Sequence, residues 1–267
     1  MAFGPGDLLA LQRLLRAKAG IVLTEEDHSR IEQRLAPLAK AHGLTSVASL
    51  LSRIRIQPWS TLHSDVIQAL LEQAAPFLVD HALGRELVEQ VLPRLIRARA
   101  ALRRLRLWCP LSGSGQGPAS LALLLLEYFP AVADWDIVIL ASDRSATEPQ
   151  DAPRGISYSP VEVVQGLPTQ VLLRRFRHQD GRWQLKPEAG RWLRRLDLDL
   201  RGAWPQLEAM DLIVLRQTLP YLSLTEQSAL VLRLRSHLAL DGELLLDADD
   251  AAALARDRTS VEVRALR

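Results

Sequence analysis

Apolar positions recur at helical spacing through the first third of the chain and then change to short continuous runs. Leu8, Leu9, Leu11, Leu14 and Leu15 form a helical stripe that Gly20 breaks. Thr24 precedes Glu25–Glu26–Asp27, an acidic first turn that predicts a helix start, because the unsatisfied N–H groups there attract negative charge. Ile31, Leu35 and Leu38 carry that helix to about His42. Gly43-Leu-Thr-Ser predicts a turn and a new cap, with a helix running to near Arg55. Two more helical runs are expected, Leu62 to Glu72 and a long one from Gly84 to Leu102. From Leu105 the signal is buried strand: Leu105 to Cys109, Trp135 to Asp143 and Met210 to Arg216. Thr225 to Leu240 predicts a helix with Gly242 as its stop, Glu243 to Asp247 a strand, and Val261 to Leu266 a closing edge strand. Strands alternating with helices imply a parallel sheet. Between Val171 and Trp192 two β-rich arms flank Asp180–Gly181, a hairpin signal.

The first strand leads into the most informative stretch. After Trp108–Cys109 come Gly113, Gly115 and Gly117, and Pro118 opens an apolar helix from Ala119 to Tyr128. Strand, glycine loop and helix together make nucleotide pockets in doubly wound sheets, because glycines let a ligand approach the backbone and the helix start offers free N–H groups. An ordinary turn with flexible glycines remains the alternative. Asp143 ends the second strand about 25–30 residues past the loop. An acid there can hydrogen-bond both ribose hydroxyls of a nucleotide, or it can cap a helix in the following Ser-Ala-Thr-Glu-Pro-Gln.

Composition changes this picture little. The chain has 267 residues, 48% hydrophobic and 24% charged, enough for one large or two modest domains. Net charge is +2, so nucleic-acid binding is not demanded. No apolar run suffices to span a bilayer, and the N-terminus lacks the order of a signal peptide, so a cytoplasmic protein without membrane insertion is expected. Cys109 is the single cysteine, and the six histidines show no ligand spacing, so no metal is expected. Six arginines and no acid lie between Arg94 and Arg106. Arg30 and Arg34, with Arg13, Arg16 and Lys18 nearby, either attract an acidic partner helix or form a solvated face.

Several segments, in order, resemble the CheR-type chemotaxis receptor methyltransferases, of which this chain is identified as a divergent member. DLLALQRLLRAKAGIVLTEEDHSRIEQRL is similar to the family's helical domain. EQAAPFLVD, residues 72–80, stands where the family carries TNxTxFFRD, and VLPRL follows it. LWCPLSGSGQGPASLA stands where the family has WAGCSTGEEPYSLA, with Gly115, Pro118, Ser120, Leu121 and Ala122 matching. ILASD is similar to a ribose-binding strand end, LDLDL to FxxxNLL, and MDLIVLRQTLPYL to FDxIxCRNVxIYF. The resemblance implies a small all-helical N-terminal domain, 1–84. It implies a Rossmann-like methyltransferase domain of α/β class over 85–267, with an inserted antiparallel β-subdomain at about 168–192.

The resemblance also implies S-adenosylmethionine or S-adenosylhomocysteine as cofactor, held by Gly113, Gly115, Gln116, Asp143, Asp199, Arg216 and Gln217. Tyr221 then serves the acceptor, and the partner is a chemoreceptor or a related signalling protein that presents glutamates for methylation. Departures are concentrated at the chemistry. Val79 replaces the motif arginine, Ala75 a threonine, Gln116 and Gly117 two glutamates, and Asp199 and Gln217 two asparagines. Asp199 can also simply cap the sheet edge. These losses support a second expectation, a module that binds a receptor, a partner or a nucleotide-like ligand without transferring methyl. A third, a small-molecule methyltransferase, is opposed by the helical domain and the hairpin.

Overall fold

In the computed structural model of the chain, residues 5–19, 28–57, 60–71, 76–143, 157–164, 166–200 and 202–255 are described. They form two compact units, one reaching to Gln73 and including Leu219–Gln227, the other running from Ala74 to Thr218 and onward from Ser228. The predicted break at Gly20, the helix start at Thr24, the helix after Asp143 and the strand at Val261–Leu266 lie outside the described residues.

The first unit is helical: α1 Pro5–Ala19, α2 His28–Ala41, α3 Val47–Ile56 and α4 Thr61–Leu71. Leu8, Leu11, Ile31, Leu35, Leu50 and Val66 meet in its core. Ser46 caps α3 by accepting the Ser49 N–H at 3.1 Å. Buried His63 donates from Nε2 to Ile54 O at 2.8 Å, which fastens α4 to α3. Half-buried Arg34 donates from Nη1 to Leu70 O at 2.6 Å and so satisfies a carbonyl at the end of α4.

The second unit begins with the long helix predicted from Gly84. It is broken in the middle: α5 Ala82–Glu86, a wide turn Leu87–Val91 in which the Leu92 N–H reaches back to Leu87 O, and α6 Leu92–Arg99. Pro93, with no N–H to give, stands at the start of α6. Five strands follow in one parallel sheet: β1 Arg104–Pro110, β2 Asp136–Asp143, β6 Leu193–Asp197, β7 Met210–Leu215 and β8 Leu238–Leu246, in the order β6–β2–β1–β7–β8. Central β7 is buried along its whole length, which is why its apolar run was readable. Helix α7, Gln116–Tyr128, is buried without interruption from Pro118 to Leu125, as its unbroken apolar sequence requires.

A second sheet is antiparallel: β3 Ser157–Tyr158, β4 Phe176–Gln179 and β5 Arg182–Leu185, in the order β3–β5–β4. The hairpin turns at Asp180 and Gly181, both at positive φ as a two-residue hairpin turn demands. Its first arm is shorter than expected. Residues Thr169–Arg175 form a helix, α9, after the short α8 Pro160–Val163, because Val171 and Leu172 bury one face of a helical turn. Short helix α10, Pro187–Gly190, leads from the hairpin to β6.

Two expectations are corrected near the C-terminus. Helix α11, Leu224–Arg235, ends before Leu240, and Leu238 already belongs to β8, where it pairs with Met210. Gly242 therefore stops no helix. It lies inside β8, where the register against β7 shifts, and an added Cβ would stand 2.6 Å from Met210 O. Helix α12, Ala248–Ala255, closes the described chain.

The arginine run is an internal ion-pair belt along the starting edge of the sheet. Arg94 pairs with Glu243, Arg99 with Asp211 and Asp241, Arg103 with Asp134, and Arg106 with Asp136 and Glu208. The acids come from later strands and loops, so the run looked unpaired in the local sequence. Among the described residues no helix is long and apolar enough to cross a membrane.

Candidate functional site

In an open parallel sheet, ligands bind beyond the carboxyl ends of the strands at the point where the strand order reverses. Here β1 leads to β2 and β6 on one side and has β7 and β8 on the other, so that point lies between β1 and β7. The predicted cofactor-binding residues all lie at or just past strand ends on this edge. Gly113, Gly115 and Gln116 follow β1, Asp143 is the last residue of β2, Asp199 lies just past β6, and Arg216 and Gln217 follow β7.

The loop after β1 is shaped by backbone conformations that side chains disfavour. Gly113 has φ 51°, and Gly115, the residue before α7, has φ 90°. Leu111 at φ 48° and Gln217 at φ 51° are non-glycine residues in the same region, one at the end of each central strand. Such strain is of order 1–3 kcal/mol per residue and gathers at ligand sites. Gln217 is held there by its N–H, which Asp247 Oδ2 accepts at 3.0 Å.

Asp143 Oδ2 accepts the Gly113 N–H at 2.7 Å, and Ser142 O accepts the Ser112 N–H at 3.0 Å. The acid at the end of β2 thus both shapes the glycine loop and presents a carboxylate beside it.

Arg216 is largely buried. Its Nη1 donates to Pro76 O at 3.1 Å, while its Nε–H is buried with no hydrogen-bond partner among the described residues. Burial pulls its pKa down, against the raising influence of Asp247, Cys109 and Asp250. Burial pushes the Asp247 carboxyl up and the Cys109 thiol up to about 12, so Cys109 is no nucleophile. His81, which caps α5 by accepting the Leu83 N–H, has its pKa lowered by burial and then by Arg216.

Residues 76–80 are pinned to α7. The Leu78 N–H donates to Ser120 Oγ at 2.8 Å, and that hydroxyl donates to Gln116 O at 2.6 Å. Ser120, singled out only as a pattern match, is fully buried and supplies the one side-chain acceptor for that amide. Ser120→Ala is expected to lower unfolding stability by about 1–3 kcal/mol, the cost of a buried donor left unsatisfied. A denaturant midpoint shift measures it, and an unchanged midpoint would refute the pin. Phe77 stacks edge-on to Tyr158 and Phe176 at 5.0 and 5.9 Å. Val79 is 8% exposed in the same apolar core, so no cation stands where the motif arginine was expected.

Not every predicted residue can be placed. Ala75 lies outside the described residues, as do the side chains of Arg30 and Tyr221; Tyr221 ends the turn Leu219–Tyr221. Asp199 follows β6, and its carbonyl accepts the Gly202 N–H at 3.0 Å. Glu162, Ser114, Tyr158 and Asp247 were not singled out from the sequence.

A cofactor with a ribose diol, an amino-acid end and a sulfonium suits what is present. Asp143 can accept from a diol, the Arg216 Nε–H has no acceptor among the described residues, and the glycine loop admits close approach. Fold and site define a doubly wound methyltransferase-type domain that follows a helical domain in the sequence. Residues 73–263 match the family described as CheR methyltransferase, SAM binding domain, and residues 6–71 its all-alpha domain. The chain belongs to the CheR methyltransferase family, and its cofactor is S-adenosylmethionine. It is 28% identical over 255 residues to "Chemotaxis protein methyltransferase Cher2" of Pseudomonas putida, covering 94% of this chain and 92% of the relative. Identity and coverage are the same for "Chemotaxis protein methyltransferase 1" of Pseudomonas aeruginosa. "Chemotaxis protein methyltransferase 2" of Vibrio cholerae is 30% identical over 207 residues, 76% of this chain and 71% of that one.

Proposed function

We propose that the chain transfers the methyl group of S-adenosylmethionine to glutamate side chains of a chemoreceptor-type signalling protein. The observation that carries this reading is the gathering of Asp143, the Gly113–Gly115 loop and Arg216 at one sheet edge, with the Arg216 Nε–H buried and without an acceptor among the described residues. The cofactor supplies an electrophilic methyl on a sulfonium. A glutamate acceptor, with pKa about 4.3, is already ionised at neutral pH, so the chain need not remove a proton. What remains is orientation of the carboxylate oxygen in line with methyl and sulfur. Tyr221, a hydroxyl donor, is assigned that orienting role, and the basic helix bearing Arg30 and Arg34 is assigned to the acidic partner.

Receptor peptides that differ only in glutamate against glutamine at the acceptor position test this with labelled cofactor. The glutamate peptide is expected to gain a base-labile methyl ester and the glutamine peptide none. Equal labelling of both would overturn the acceptor assignment.

One observation favours a second reading. Val79 is buried among apolar side chains and cannot bind a carboxylate. Loss of a positioning group can lower the rate by orders of magnitude without unfolding the protein. Cofactor binding with no labelling of either peptide would support a non-catalytic module that docks on a receptor or signalling partner.

A further inference from the structure

We propose that Glu162 is the carboxylate that receives the cofactor's α-ammonium group, in place of the acid that position 116 does not carry. The inference rests on the cofactor reading above. Gln116 opens α7 beside the glycine loop and is only 2% exposed. Its Oε1 accepts the Ser114 hydroxyl at 2.6 Å, and its Nε2 lies 3.3 Å from Glu162 Oε1. An ionised carboxylate only accepts hydrogen bonds, so the amide must turn its NH2 towards Glu162. In that orientation Gln116 brings no charge to the loop.

Glu162 does. Its Oε2 accepts the Ser159 N–H at 2.6 Å, and the Ser159 hydroxyl accepts the Glu162 N–H, a reciprocal cap that fixes the side chain. The cap is registered against the loop by Tyr158, whose buried hydroxyl donates to Gly115 O at 2.9 Å. The anion therefore comes from the segment after β3 and is held within one side chain of the start of α7. A glutamate at position 116 would set two carboxylates against each other, and one would take up a proton. With the neutral amide of Gln116 in that place, the Glu162 carboxylate faces a donor rather than a second acid.

Calorimetric titration of the full chain tests this with three ligands: S-adenosylmethionine, S-adenosylhomocysteine and 5′-methylthioadenosine, which lacks the amino-acid end. Glu162→Gln keeps one oxygen to accept the Ser159 N–H and removes the charge, with its NH2 then turned towards Gln116. The first two ligands are expected to bind about ten- to a hundredfold more weakly to the variant, as for loss of a bond to a charged group, and the third within about twofold. Equal weakening of all three would show a merely structural role and overturn the proposal, as would unchanged binding of S-adenosylmethionine. Absence of binding by the unsubstituted chain overturns the cofactor reading itself and this inference with it.

Discussion

Gly166→Ala is expected to destabilise the α/β unit by about 3 kcal/mol. Two costs combine. Gly166 has φ +72°, a conformation that costs a residue with a Cβ about 1–2 kcal/mol. The added Cβ would also stand 2.1 Å from Phe77 O, and the obstacle is backbone rather than the end of a flexible side chain. Relief must move either the loop at Gly166 or residues 77–80, and overpacking of this kind costs about 1–3 kcal/mol. Gly166 O also accepts the Asp80 N–H at 3.0 Å, so the shift strains a second contact. Gly181→Ala is the control. It has the same φ of +72°, and nothing lies within 4 Å of its added Cβ. Denaturant unfolding should therefore separate the two variants by about 2 kcal/mol. Equal midpoints would mean that the close approach to Phe77 is absorbed without cost.

The same contrast shows what was legible in the sequence. Gly181 sits in an Asp-Gly dipeptide between β-rich arms, so its turn could be read directly. Gly166 follows Val164–Gln165 with no such signal, and the need for it comes from Phe77, far away in the chain. Elements set by local or continuous patterning were readable: β1, β2, β7, α7 and the hairpin turn. Leu238-Ala-Leu has no period that separates strand from helix, and only pairing with Met210 decides it. Val171–Arg175 contains β-favouring residues, yet packing of Val171 and Leu172 makes it helical.

The site divides in the same way. Asp143 and the loop glycines were expected from local signals, a strand end and a glycine run, and Arg216 from the resemblance. Ser159-Pro-Val-Glu162 could have been read as a helix cap, but its bond to Gln116, 46 positions earlier, could not. The six arginines from Arg94 to Arg106 have no acid near them in the sequence, yet acids from Asp134 to Glu243 answer five of them. Charge read locally overstates what is available for binding.

Asp143→Ala is expected to have the largest effect on cofactor affinity, about a hundredfold or more. The substitution removes the carboxylate assigned to the ribose hydroxyls, where each charge-assisted bond is worth about 1.5–3 kcal/mol. It also removes the acceptor of the Gly113 N–H, so a loop held at φ 51° loses its tether. The two contributions can be separated. Asp143→Asn retains an oxygen that can accept from Gly113 and should weaken binding less than alanine does. A 2′-deoxyribose analogue of the cofactor lacks one of the hydroxyls, so the alanine variant should discriminate it from the parent cofactor far less than the unsubstituted chain does. Calorimetric titration of both ligands against both variants and the unsubstituted chain gives the full cycle. The competing role, a cap for a helix after Asp143, predicts lowered stability with affinity unchanged within about twofold. That outcome would remove Asp143 from the site and leave it a structural residue that tethers Gly113 and caps the following segment.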